Sequence, residues 1–145
     1  MTTVTARASR MLDAPPERVL EFLRDYRDAR PKILTDNYSA YRVEQRGHGQ
    51  GTVIGYHFAA GGRERDYRVR VEEDGGGLVE RDQLSSFVSH WTVAPNGSGA
   101  EVTLESSWQG AGGIGGVFER TFAPMGLRRI YAHVLDKLAA AVAAV

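Results

Sequence analysis

The stretch Leu127-Arg128-Arg129-Ile130-Tyr131-Ala132-His133-Val134-Leu135-Asp136-Lys137-Leu138-Ala139-Ala140-Ala141-Val142 decides the fold. Its apolar residues at Leu127, Ile130, Tyr131, Val134, Leu138, Ala141 and Val142 follow the i, i+3, i+4, i+7 recurrence of one continuous helix face. Such a face needs a wall to lie against. A glycine-rich run from Gly110 to Gly116 opens into this helix, and everything between Tyr38 and Trp108 reads as short alternating segments. The simplest wall is therefore a single antiparallel sheet gripping one helix, a geometry that leaves room for a cavity between the two.

Working outward, Val4, Ala6, Ala8 and Leu12 alternate with Thr3, Thr5, Arg7 and Ser9, the pattern of a half-buried strand. Asp13-Ala14-Pro15-Pro16-Glu17 then reads as a helix start, with Asp13 as the cap and the prolines where no amide donor is needed. Val19, Phe22, Leu23 and Tyr26 give that helix its apolar face. A second short helix or turn follows between Arg27 and Leu34, interrupted by Pro31. Six further strands are expected near 39–45, 52–60, 64–72, 78–82, 87–94 and 101–108. Gly47-His48-Gly49-Gln50-Gly51, Gly61-Gly62, Asp74-Gly75-Gly76-Gly77 and Pro95-Asn96-Gly97 separate them as turns. Connections this short force antiparallel neighbours. The expectation is an α+β chain with one domain over residues 1–145 and helices on one face of a curved sheet of about seven strands.

Composition narrows the function. The 145 residues carry 18 basic and 18 acidic side chains and no cysteine. A balanced charge speaks against a phosphate-backbone partner, so no nucleic acid is expected. Without cysteine there are no disulfides, thiolate nucleophiles or cysteine-ligated zinc. The start Met1-Thr2-Thr3-Val4-Thr5 holds no apolar leader, and the longest apolar run, Leu138 to Val145, is too short to span a bilayer. This reads as a cytoplasmic protein, with monomer and homodimer both left open.

The order of elements and several motifs resemble one known family. Leu12-Asp13-Ala14-Pro15-Pro16-Glu17-Arg18-Val19 is similar to the strand-to-helix junction of the START-like superfamily, also called SRPBCC or polyketide cyclase/dehydrase-like. The Gly47-x-Gly49-x-Gly51-Thr52 hairpin and the segments Phe118-Glu119-Arg120 and Leu127 to Tyr131 are similar to bacterial members. The resemblance covers essentially the whole chain and implies a helix-grip fold enclosing an apolar cavity. Its members range from lipid and hormone carriers to aromatase/cyclases and regulators, so it does not fix the chemistry.

Among sites, the Gly47–Gly51 run precedes a strand, whereas a dinucleotide fingerprint must open a helix, so it reads as a hairpin turn. Gly110–Gly116 precedes a helix but lacks a P-loop's lysine and hydroxyl, and reads as a cavity rim. His48, His57, His90 and His133 show no ligand spacing, so no metal and no cofactor is expected. His57, between Tyr56 and Phe58, points away from the face they share.

The richer signal is aromatic. Tyr41, Tyr56, Phe58, Tyr67, Trp91 and Trp108 on the strands, with Phe122, Leu127 and Tyr131 from the closing segment, are the candidate ligand-binding residues. Alternation alone fits a solid core as well as a ligand pocket, and the resemblance favours the pocket. For proton chemistry Glu80, Asp82, His90 and Glu105 are the candidates: Glu105 and His90 point outward, and Glu80, which shares a strand face with Leu78 and Asp82, is read as exposed near a sheet edge rather than projecting inward. Arg10 either reaches the cavity or snorkels to solvent. The reading that follows is carriage of a small lipid-like or aromatic ligand. A polyketide cyclase/aromatase-type enzyme and a regulatory interaction module stand as its alternatives.

Overall fold

The computed structural model describes residues 3–110 and 123–143. Strand β1 (Thr3–Leu12) leads into helix α1 (Pro16–Arg24) and a single 3-10 turn (Arg30–Ile33). Six strands follow: β2 (Tyr38–Gln45), β3 (Val53–Ala60), β4 (Arg63–Asp74), β5 (Gly77–Asp82), β6 (Val88–Asn96) and β7 (Gly99–Gln109). Helix α2 (Pro124–Ala143) closes the chain. One seven-stranded sheet has the order β1-β7-β6-β5-β4-β3-β2, and every neighbouring pair is antiparallel. This is the helix-grip arrangement, a curved antiparallel sheet holding the long C-terminal helix.

Each element forms for local reasons. Gly61 and Gly62, both at positive φ (59° and 79°), make the two-residue turn joining β3 to β4 with the hand that suits a twisted hairpin. Gly77 permits a closer approach: a Cβ there would lie 1.9 Å from the Trp91 carbonyl oxygen on β6. Helix α1 starts differently from the sequence expectation. Pro15 occupies the cap with no side-chain bond and Pro16 takes the first turn, where its missing N–H leaves nothing unsatisfied, so Asp13 does not cap.

The core lies between the concave sheet face and α2. Strand alternation delivers Ile54, Phe58, Tyr67, Val71, Trp91 and Leu104 to that face, all buried. Helix α2 answers with Leu127, Tyr131, Val134, Leu135, Leu138 and Val142. Leu135 joins the stripe while Ile130 is only half-buried, because α2 also packs against β1 and the 3-10 turn and so buries a wider arc than one seam. In β2 the pairing with β3 shifts between Ser39 and Arg42, and Ala40 takes φ 54° there. A bulge of this kind re-aims the next side chain, and Tyr41 follows it.

One sequence expectation is overturned by the strand order. Strand β5 is fourth of seven, the centre of the sheet, so Glu80 is not near an edge; it is buried with only 9% of its surface exposed. Asp82, on the same face, is buried too, where it accepts the Arg68 backbone N–H at 3.0 Å and the Ser85 hydroxyl at 2.5 Å and pins the turn after β5. Phe118, Phe122 and residues 111–116 of the glycine-rich run lie outside the described residues.

Candidate ligand-binding site

Between α2, the 3-10 turn and the concave face lies a cavity of about 50 Å3. Seven of the nine residues expected to bind ligand line it: Tyr41, Tyr56, Phe58, Tyr67, Trp91, Leu127 and Tyr131. Trp108 is buried one ring further back, stacked on the lining Phe87 at 5.6 Å. Phe122 is outside the described residues.

The aromatic wall is continuous across strands. Tyr38 meets Phe58 edge-on at 4.8 Å, Tyr56 stacks on Tyr67 at 5.2 Å, and Tyr67 meets Phe87 at 5.2 Å. These centroid distances and tilts are those at which ring quadrupoles attract. Directly opposed positions produce the contacts, since Tyr56 pairs with Tyr67 and Tyr38 with Phe58 in the ladder.

One side of the cavity is polar. Glu80 Oε2 accepts the Tyr26 hydroxyl at 2.5 Å and Arg30 Nη1 at 2.8 Å, and Oε1 accepts the Trp91 indole N–H at 3.2 Å. Arg30 Nη1 also donates to the Leu23 carbonyl at 3.0 Å. The Arg30 guanidinium lies over the rings of Tyr26 (4.5 Å) and Trp91 (4.8 Å), an apolar clamp that fixes a cation electrostatically. Its Nε is the one buried side-chain polar atom without a partner among the described residues. The Tyr41 hydroxyl donates to the Tyr26 carbonyl at 2.5 Å, tying the bulged strand to the end of α1.

A second polar group follows from register. Glu80 opposes Ser89 and Ser89 opposes Ser106, so three adjacent strands present polar residues in one row on the inner face. Ser89 and Ser106 share a 2.6 Å hydrogen bond, and Ser106 shares another of 2.6 Å with the Tyr131 hydroxyl from α2.

Burial governs the protonation of these groups. Desolvation lifts the phenols of Tyr26, Tyr38 and Tyr56 well above 10, and those of Tyr41 and Tyr131 to about 12, because a buried phenolate lacks water. For Tyr131 the serine hydrogen bonds act in the opposite direction and are outweighed. Burial works against the Arg30 cation, yet the neighbouring Glu80 charge prevails and holds the guanidinium above its ordinary value.

The other candidates sit elsewhere. Arg10 reaches outward to Asp136 at 2.9 Å, and Asp82 serves its turn. His90 and His133 are exposed, and His48 bonds Glu21 on the surface at 2.6 Å. His57 faces away from the cavity as expected, between Asp66 (2.8 Å) and Glu64 (3.0 Å). Among the described residues no three His, Asp or Glu side chains gather as a metal site requires, and no helix is long and apolar enough to cross a membrane.

Sequence reasoning missed Arg30, Tyr26 and Tyr38 as site residues, along with Ser89 and Ser106. The serines occupy inward positions between Phe87 and Trp91 and between Leu104 and Trp108, a signal that alternation carries. Arg30 has no such signal, since its place depends on the turn around Pro31.

A family model described as "Polyketide cyclase / dehydrase and lipid transport" matches residues 3–143. The chain belongs to this family. The NMR structure of KanY protein is similar over 98% of this chain and 99% of its own, with 45% identity and a TM-score of 0.87. The Zhui aromatase/cyclase from Streptomyces sp. R1128 shares the fold at 14% identity and a TM-score of 0.74, over 97% of this chain and 94% of its own. So does ginseng major latex-like protein 151 from Panax ginseng, at 14% identity and a TM-score of 0.71, over 96% and 97%. No curated protein matches the chain. The family and these likenesses make it a ligand-binding fold of the polyketide cyclase and START-like kind.

Proposed function

We propose that this chain works as a one-domain cytoplasmic binder or carrier of a small, largely apolar ligand, aromatic or lipid-like, held between the sheet and α2. The observation that carries the reading is the continuous aromatic wall around a cavity whose polar groups are few and mostly engaged with each other. A small-molecule site has this composition: broad apolar contact for affinity, and a few fixed polar atoms for orientation. The cavity is narrow, so a ring-sized ligand enters by spreading α2 from the sheet rather than by filling preformed space.

The enzyme alternative, a polyketide cyclase/aromatase-type catalyst, gains from the Tyr131-Ser106-Ser89 hydroxyl chain and from the family description. Glu80 weakens it as a general base. A base needs an oxygen in reach of the substrate's proton, and Glu80 already accepts three protein donors. Carriage therefore leads.

The test is titration of the purified chain with the neutral fluorophore N-phenyl-1-naphthylamine, together with native mass spectrometry for co-purified mass. Saturable one-to-one binding in the range of about 1–50 μM is expected from the affinity of a modest apolar contact. No saturation over that range would leave the cavity a feature of packing alone.

A further inference from the structure

Among the described lining residues two are charged, Arg30 and Glu80, and each is the other's partner at 2.8 Å. Both are buried, with 6% and 9% of their surfaces exposed. The pair brings no net charge to the cavity. Its hydrogen bonding is lopsided, however, because Glu80 accepts three donors while the Arg30 Nε–H, itself buried, meets no acceptor among the described residues.

The hydroxyl cluster does not offset this imbalance. Each hydroxyl brings one hydrogen, and Tyr131, Ser106 and Ser89 all meet one another, so the three hydroxyls satisfy themselves. Burial keeps the surrounding phenols protonated. The residues lining the cavity thus leave one N–H donor, that of Arg30 Nε, unspent in a setting without free charge.

We infer that the site selects an uncharged aromatic ligand bearing an acceptor oxygen, such as a ketone, ester or quinone, and discriminates against carboxylates. The inference rests on the ligand-binding reading above. A neutral acceptor oxygen satisfies a leftover donor, and an unsatisfied buried donor is costly. A carboxylate could reach the same donor but would surrender its hydration without gaining a counter-charge, since the Arg30 charge is already matched. It would also stand close to Glu80, a like charge that lines the same cavity.

Three near-isosteric probes separate the contributions in isothermal titrations of the full chain at pH 7.5: 2-acetylnaphthalene, 2-naphthoate and 2-ethylnaphthalene. The ketone is expected to bind at least about tenfold tighter than the anion, the scale of a modest uncompensated charge burial. It should exceed the hydrocarbon by roughly threefold to tenfold, one net hydrogen bond. Glu80→Gln leaves Arg30 unmatched, so the ketone-to-naphthoate preference should fall by about tenfold or more. If that variant does not fold, the comparison in the parent protein decides. Naphthoate binding as tightly as the ketone, the hydrocarbon equalling the ketone, or an unchanged preference in a folded Glu80→Gln protein each overturns the inference. Failure of all three probes to bind removes the ligand-binding reading itself, and the inference with it.

Discussion

Replacing Glu80 by Gln tests whether the Arg30–Glu80 pair organises the interior. The substitution keeps the shape and one acceptor oxygen but removes the charge facing a guanidinium that is 94% buried, taking its 6% exposure from the whole. Three donors, from Tyr26, Arg30 and Trp91, then converge on a neutral amide whose NH2 group must face at least one of them. Breaking a buried pair from one side costs about 3–5 kcal/mol, because the remaining charge stays buried. For a chain of this length that corresponds to a fall in Tm of roughly 10–15 °C. Denaturant and thermal unfolding followed by circular dichroism would measure it. In a double-mutant cycle with Arg30→Met, the two losses should fall short of additivity by at least about 2 kcal/mol, since removing both partners leaves no stranded charge. A Glu80→Gln protein within about 1 kcal/mol of the parent, with additive behaviour in the cycle, would refute the reasoning, because surface substitutions behave that way.

The buried phenols make the fold sensitive to alkali. Their folded pKa values are raised, so the stability they contribute is complete below about pH 10 and is lost as pH climbs toward the folded values near 12; absorbance at 295 nm should show phenolate appearing together with unfolding rather than before it. His57, whose imidazolium donates hydrogen bonds to Asp66 and Glu64, should titrate above 6.5 by NMR and return toward that value in Asp66→Asn. Any stability it lends is present below pH 6.5 and lost as pH rises through the raised value. Gly77→Ala should destabilise by about 2 kcal/mol or more, because its Cβ meets the Trp91 carbonyl in a backbone that cannot yield. Gly62→Ala, with open space around it but φ at 79°, should cost only about 1–2 kcal/mol in chemical denaturation.

Much of the architecture was legible in the chain because its causes are local. Period-two alternation, glycine turns and the 3.6-residue stripe act over a few residues, and they located all seven strands and α2 to within a residue or three. Facing directions were legible for the same reason, including His57 outward and Tyr56, Tyr67 and Trp91 inward. Alternation names a face but not a neighbour. It placed Glu80 correctly on the face of Leu78 and Asp82, yet could not say that β5 sits at the centre of the sheet, where the inward carboxylate is buried. Nor could it bring Arg30 to that carboxylate, 50 residues along the chain. That meeting depends on how α1 and the 3-10 turn dock across the sheet, and on the Ala40 bulge that aims Tyr41 at the Tyr26 carbonyl. The amino-acid sequence determined an antiparallel sheet gripping a helix through an aromatic face. The self-neutralised ion pair and the three-strand polar row were decided only by tertiary structure, because the desolvation that makes them matter exists only once distant segments exclude water together.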